Sequence, residues 1–105
     1  MAANEFADRL KKFRSRFAEL KIDAAVVANR VNTRYLCGFD GSFSILSVDA
    51  KRAVLFTDSR YAEAAAREAA VGVEVRCQPR EKALEFYRDF FAPLKGKRVG
   101  HETSI

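Results

Sequence analysis

Tyr35-Leu36-Cys37-Gly38-Phe39-Asp40-Gly41-Ser42-Phe43, followed downstream by Phe56-Thr57-Asp58-Ser59-Arg60-Tyr61, is the part of this 105-residue chain in which its fold is decided. Together the two segments hold two of the five glycines, three of the nine phenylalanines and two of the three tyrosines. The first is an aromatic loop punctuated by glycines. It runs into a pair of strands, and the pair ends at Thr57-Asp58-Ser59, three residues able to cap a helix. Loops at strand ends are where α/β proteins commonly place binding surfaces, so this stretch is the candidate site and the remainder its scaffold.

Upstream, Phe6, Leu10, Phe13, Phe17 and Leu20 recur at steps of four, three, four and three. That is the apolar face of one α-helix. Asn4 is its expected N-cap, Glu5 and Asp8 suit the positive helix start, and Lys21-Ile22-Asp23 ends it. The continuous apolar run Ala24–Ala28 predicts a strand covered on both faces, hence central in a sheet. Between Asn29 and Leu36 a short helix is expected, starting near Asn29 or Asn32, with Val31, Tyr35 and Leu36 on its apolar side and Gly38 breaking it. Phe43–Val48 and Ala53–Phe56 are joined by the polar link Asp49-Ala50-Lys51-Arg52. They form an antiparallel hairpin, because a parallel connection needs about a dozen residues or more.

Downstream, the six alanines of Tyr61–Ala70 predict a helix thin enough to lie close to a sheet, stopped at Gly72. Val73–Cys77 alternates, as a half-buried strand with Glu74 and Arg76 outward does. Pro79 opens a further helix carrying Leu84, Tyr87, Phe91 and Leu94 on one face. Lys95-Gly96-Lys97 turns the chain into a last strand at Arg98-Val99-Gly100. This order predicts a single α/β domain over residues 1–105, a mixed sheet flanked by helices. The sequence stops in a strand with neither cap nor polar tail, which reads as a cut within a longer polypeptide.

At 49% hydrophobic and 31% charged residues the chain has the composition of a folded globular protein. No apolar run approaches the roughly 20 residues of a membrane span. No signal-peptide core precedes or follows Glu5. Cys37 and Cys77 lack metal-ligand spacing and are expected as reduced thiols, which together points to a cytoplasmic protein without a membrane partner. The net charge of +5 is concentrated early, where Arg9, Lys11, Lys12, Arg14, Arg16 and Lys21 face only Asp8 and Glu19. Such a stripe can track phosphates, and it is equally the solvated face of an amphipathic helix. Without interleaved aromatics or helix-turn-helix spacing the solvated face is favoured, and a basic nucleic-acid-binding module stays as an alternative.

Catalytic patterns are missing from the sequence. A metal site needs several convergent ligands, and His101 is the one histidine. Ser42 and Ser59 have no base nearby in sequence, and neither phosphate-cradling glycine motif occurs. The best local polar pair is Asp58 with Arg60. It is either a helix cap with a surface ion pair or part of a site.

Asn32-x-x-Tyr35-Leu36-x-Gly38-Phe39-x-Gly41-Ser42 and Ala53-Val54-Leu55-Phe56-Thr57-Asp58-Ser59-Arg60-Tyr61 together resemble the N-terminal domain of the creatinase, prolidase and Xaa-Pro aminopeptidase family. Ile22-Asp23-Ala24 and Arg98-Val99-Gly100 fit as well, so the resemblance spans nearly the whole chain. It implies a three-layer α/β domain, similar to ribonuclease H-like arrangements, that precedes a catalytic domain of pita-bread fold absent from this chain. That catalytic domain would carry two divalent metals, manganese or cobalt, on two Asp, one His and two Glu. The implied role here is non-catalytic: dimerising a probable Xaa-Pro aminopeptidase or prolidase and walling its active site. The implied partners are the protein's own catalytic domain, a second copy in a homodimer, and short proline-containing peptides. A creatinase-like hydrolase of a guanidino compound is the alternative parent. Within the resemblance, Phe39 and Phe43 would present apolar wall, and Asp40, Ser42 and Arg60 would offer polar groups to a peptide terminus or partner subunit. Asp58 and Tyr61 complete the candidate set. Against this, Tyr35, Phe39 and Tyr61 could pack the core while Asp58 and Arg60 pin the loop internally.

Overall fold

The stripe from Phe6 to Leu20 folds as two helices in line rather than one. In the computed structural model, which describes residues 2–41, 43–70, 72–78, 88 and 92–101, α1 spans Ala2–Ser15 and α2 spans Phe17–Leu20. The Ser15 hydroxyl donates to the Lys12 carbonyl at 2.6 Å, an alternative to helical continuation that serine readily offers. The apolar face survives the break, since the Phe13 and Phe17 rings meet edge-on with centroids 5.4 Å apart. The helix starts at Ala2, two residues before the expected cap at Asn4. Its end is as expected: Lys21 turns left-handed at φ 59°, and N–H groups of Lys21 and Ile22 close onto the carbonyls of Ala18 and Phe17.

Five strands follow: β1 Ala24–Val27, β2 Ile45–Asp49, β3 Ala53–Asp58, β4 Glu74–Gln78 and β5 Val99–His101. Their order across the sheet is β4-β3-β2-β1-β5. β1 with β2 and β2 with β3 are antiparallel, while β1 with β5 and β3 with β4 are parallel. The sheet is therefore mixed, as the element order predicts. The hairpin closes more tightly than a four-residue link. Asp49 belongs to β2, its N–H reaches the Arg52 carbonyl at 2.9 Å, and its Oδ1 accepts from the N–H groups of Lys51 and Arg52. Only Ala50 and Lys51 form the tip, because the aspartate side chain organises the turn that its backbone begins.

Alternation along the inner strands splits the core in two. Ala25, Val27, Leu46, Val48, Ala53 and Leu55 face a cluster built with Leu10, Phe17, Leu36 and Ala65 of the helices. Ala24, Val54 and Phe56 face the other way, with Leu94, Val26, Phe43 and Ile45. Covering both faces makes a layered α/β domain, and explains why β1 and β3 read as continuous apolar runs. Helix α3, Arg30–Cys37, starts at Asn29, whose Oδ1 accepts from the N–H groups of Val31 and Asn32. Its buried side is Thr33, Leu36 and Cys37, not the expected Val31–Tyr35–Leu36. Val31 is 74% and Tyr35 55% exposed. Thr33 replaces them inside because its hydroxyl can donate to the Asn29 carbonyl at 2.9 Å, so burial leaves it satisfied.

Past β3, Ser59–Tyr61 forms a 3-10 turn and α4 covers Ala62–Glu68, ending short of Ala70. Ala69 turns extended, and the N–H of Ala70 goes instead to the Cys37 carbonyl at 2.7 Å. Gly72, at φ 92°, shapes the approach to β4 rather than ending the helix. In β4 Glu74 and Arg76 are exposed, as alternation requires. The helix expected from Pro79 to Phe91 lies outside the described residues apart from Arg88, which is helical; Leu94 sits buried in a 3-10 turn, Ala92–Leu94. No helix among the described residues is long and apolar enough to cross a membrane.

Candidate functional site

The loop after α3 is shaped by two glycines with different tasks. Gly38 closes the helix at φ 87°, its N–H on the Arg34 carbonyl. A Cβ there would stand 2.9 Å from the Glu68 carbonyl and 3.3 Å from the Phe6 ring, so glycine lets α1 and α4 approach the loop. Phe39 then turns inward to 1% exposure and meets the Tyr61 ring edge-on, centroids 6.0 Å apart at 71°. Gly41 leaves the space that the Phe39 ring fills. The loop is tied to β3 by the Thr57 hydroxyl, which donates to the Phe43 carbonyl at 2.6 Å.

At the end of β3, Asp58 is only 6% exposed and directs both carboxylate oxygens at Arg60. Nε of Arg60 donates to Oδ1 and Oδ2 at 3.0 and 3.1 Å, and its second fork nitrogen donates to Oδ2 at 2.7 Å. Oδ1 also caps the turn by accepting the Arg60 N–H at 3.0 Å. The Arg60 guanidinium lies over the Tyr61 ring, 5.2 Å from its centroid. Hydrogen bonding to Asp58 holds the guanidinium pKa above its ordinary value. Burial, with the Asp58 charge adding to it, pushes up the Cys77 thiol on the neighbouring strand. Asp40 is exposed and accepts from Arg30 Nε at 2.6 Å, a bond that holds its carboxyl below the usual range.

Phe39, Asp58, Arg60 and Tyr61 thus form one group at the end of β3. Asp40 belongs to a separate surface pair with Arg30, and Phe43 packs on the opposite face of the sheet. Ser42 lies outside the described residues. Two expectations need correcting for this domain. Phe39 fills the core instead of presenting an apolar wall, and the Arg60 fork is already closed on Asp58 instead of open to an incoming carboxylate. Tyr35 is no core residue either: its ring lies beneath Arg9, 4.2 Å from the guanidinium carbon, and Arg9 donates to its carbonyl at 3.0 Å. Arg9 and Arg30 are partners that the sequence does not announce, because they stand 26 and 10 positions from their acceptors. The basic stripe is divided as well. Arg9 also pairs with Glu5, Arg14 donates to the Asp49 carbonyl at 2.7 Å, and Arg16 lies 3.6 Å from Glu19. Among the described residues no three of His, Cys, Asp and Glu gather where a metal ion could be held. What this group does is fix a loop and a strand end rigidly.

Residues 9–105 match the creatinase/prolidase N-terminal domain. The chain belongs to that family. The prolidase-type domain superimposes with a TM-score of 0.78 on the Xaa-Pro dipeptidase of Bacillus anthracis, at 29% identity over 93% of this chain and 27% of that one. It also matches the N-terminal domain of the cytoplasmic peptidase PepQ of Mycobacterium tuberculosis, with a TM-score of 0.64 and 28% identity. There the match covers 90% of this chain and 91% of that one. In sequence it is 37% identical over 57 residues to the uncharacterized peptidase YqhT of Bacillus subtilis, 54% of this chain and 16% of that protein. The prolidase-type chain therefore spans about a quarter or less of the full-length relatives and nearly all of an isolated N-terminal domain.

Proposed function

We propose that this chain is the non-catalytic N-terminal domain of an Xaa-Pro peptidase that works in the cytoplasm, where it dimerises the enzyme and walls its active site. The observation carrying this is the match in extent: the chain covers 27% of an Xaa-Pro dipeptidase yet is coextensive with the PepQ N-terminal domain. The two divalent metals, manganese or cobalt, and the hydrolytic chemistry they supply belong in this proposal to a separate catalytic domain, because the described residues offer no ligand set that fits them. This domain's own contribution is positional. The Phe39–Tyr61 packing and the Asp58–Arg60 pair hold the end of β3 in one geometry, from which the exposed edge of Arg60 meets a partner subunit or a proline-containing peptide.

Two measurements test the proposal. The purified chain with manganese and an Xaa-Pro dipeptide should show no turnover, and robust turnover would overturn the non-catalytic assignment. In the full-length enzyme, Arg60→Ala should raise KM or weaken the dimer measured by sedimentation. Unchanged kinetics and assembly would reduce Arg60 to a turn residue.

A further inference from the structure

Away from the β3 end, an open groove of about 420 Å³ runs between α1 and α3. Phe13 and Leu36 contribute its apolar floor, and Lys12, Arg16, Asn32 and Tyr35 its rims. Its volume lies within the range of about 300–1,000 Å³ typical of ligand clefts. The Arg9 guanidinium clamps Tyr35 in place, so the aromatic rim is set before anything binds. Val31, one turn earlier on α3 and 74% exposed, extends the apolar strip past the groove. Lys12 is exposed and no carboxylate stands against it among the described residues. Lys12 is thus an unneutralised cation beside exposed apolar side chains, while Arg16 stands 3.6 Å from Glu19 at the exposed rim.

We propose that this groove is a docking site for an acidic peptide segment of another protein, one that alternates apolar side chains with carboxylates. Charge complementarity selects the occupant. Apolar groups of the segment would cover Phe13, Leu36 and Tyr35, its carboxylates would meet Lys12 and Arg16, and Asn32 would bond its backbone. A second copy of this chain does not supply that pattern from the described residues. Its exposed large apolar side chains, Val31, Tyr35 and Val99, are flanked in sequence by Arg30, Arg34 and Arg98.

The experiment titrates the isotope-labelled chain with a hexapeptide alternating glutamate and leucine, followed by amide NMR shifts. Two controls of matched charge accompany it, a glutamate–glycine hexapeptide and a single-stranded DNA oligomer. The expected result is saturable shifts around Lys12, Arg16, Asn32 and Tyr35, weakening as salt is added. Lys12→Glu with Arg16→Glu should weaken binding about tenfold or more while the amide spectrum stays folded, and Tyr35→Ala should weaken it independently of charge. Absence of saturable shifts, equal binding of the glycine peptide, or tighter binding of DNA would each overturn the proposal.

Discussion

Replacing Gly41 with alanine tests whether the loop is built around the Phe39 ring. Gly41 is buried, and a Cβ placed on it stands 2.4 Å from Phe39 Cζ and 2.6 Å from Cε2. Neither separation is tolerated, so ring or loop must move. The ring has little room, being almost fully buried and braced by Tyr61. Gly41 does not occupy the left-handed region, so backbone strain contributes nothing and the cost is overpacking, about 1–3 kcal/mol. At about 4–8 °C per kcal/mol for a domain near this size, thermal unfolding followed by circular dichroism should fall by about 5–20 °C. Phe39→Leu opens a cavity and destabilises on its own, yet it removes the atoms that clash. The double variant should therefore be more stable than the sum of the single effects by about 0.5–3 kcal/mol. A Gly41→Ala protein within about 0.5 kcal/mol of the parent, or strict additivity, would refute the packing account.

Three further outcomes follow from other contacts. Asp58→Ala should cost about 1–2 kcal/mol in urea denaturation by removing the cap of the Ser59 turn, while Asp58→Asn, which keeps an oxygen for the Arg60 N–H, should cost less; equal losses would argue against capping. Lys21→Gly relieves a left-handed residue at the end of α2, and after the added chain entropy of glycine it should stabilise by about 0.5–1 kcal/mol, read as a higher unfolding midpoint. Bonds from Arg98 to Asp23 and from Arg30 to Asp40 hold both carboxyls below their ordinary value of 3.8 when folded. The unfolded chain then binds more protons in that window, so this stability is full above the unfolded pKa and is lost as pH falls through the folded one. Asp23→Asn should flatten the decline of the melting temperature between about pH 5 and pH 2, and an unaltered acid limb would count against the linkage.

Most strands and the class of the sheet could be read from the sequence because they depend on local periodicity. Ala24–Val27 has a continuous apolar run and Val73–Cys77 an alternating one, and each occupies the sheet position that its pattern implies. The misreadings came from residues whose partners are distant. Helical spacing puts Tyr35 on the apolar side with Val31 and Leu36, yet its place is set by Arg9, 26 residues earlier. The burial of Thr33 has no sequence signal, because the acceptor that satisfies its hydroxyl is the backbone carbonyl of Asn29. Glycines, rings and caps mark the stretch from Tyr35 to Tyr61 in the sequence, and the structure brings Phe39, Asp58, Arg60 and Tyr61 of it together. Its internal pairing was not legible: the approach of Phe39 to Gly41, and the closure of Arg60 on Asp58, depend on side-chain directions that residue type leaves open.

The parallel pairing of β1 with β5 has a consequence for how the domain is made. Asp23 and Ala24 donate to the carbonyl of Arg98, and Asp23 accepts from its N–H, across 75 positions. A chain leaving the ribosome must therefore have emerged past Arg98 before its first strand gains a second neighbour. Until then Ala24-Ala25-Val26-Val27 is an apolar edge with open hydrogen-bonding groups, the kind of template on which other chains add. Such non-local closure also slows folding, because the loop entropy is lost before the contact forms. The three residues of β5 thus act as a late lock, and disrupting that one strand would leave the largely buried β1 as an open sheet edge on which other chains can add.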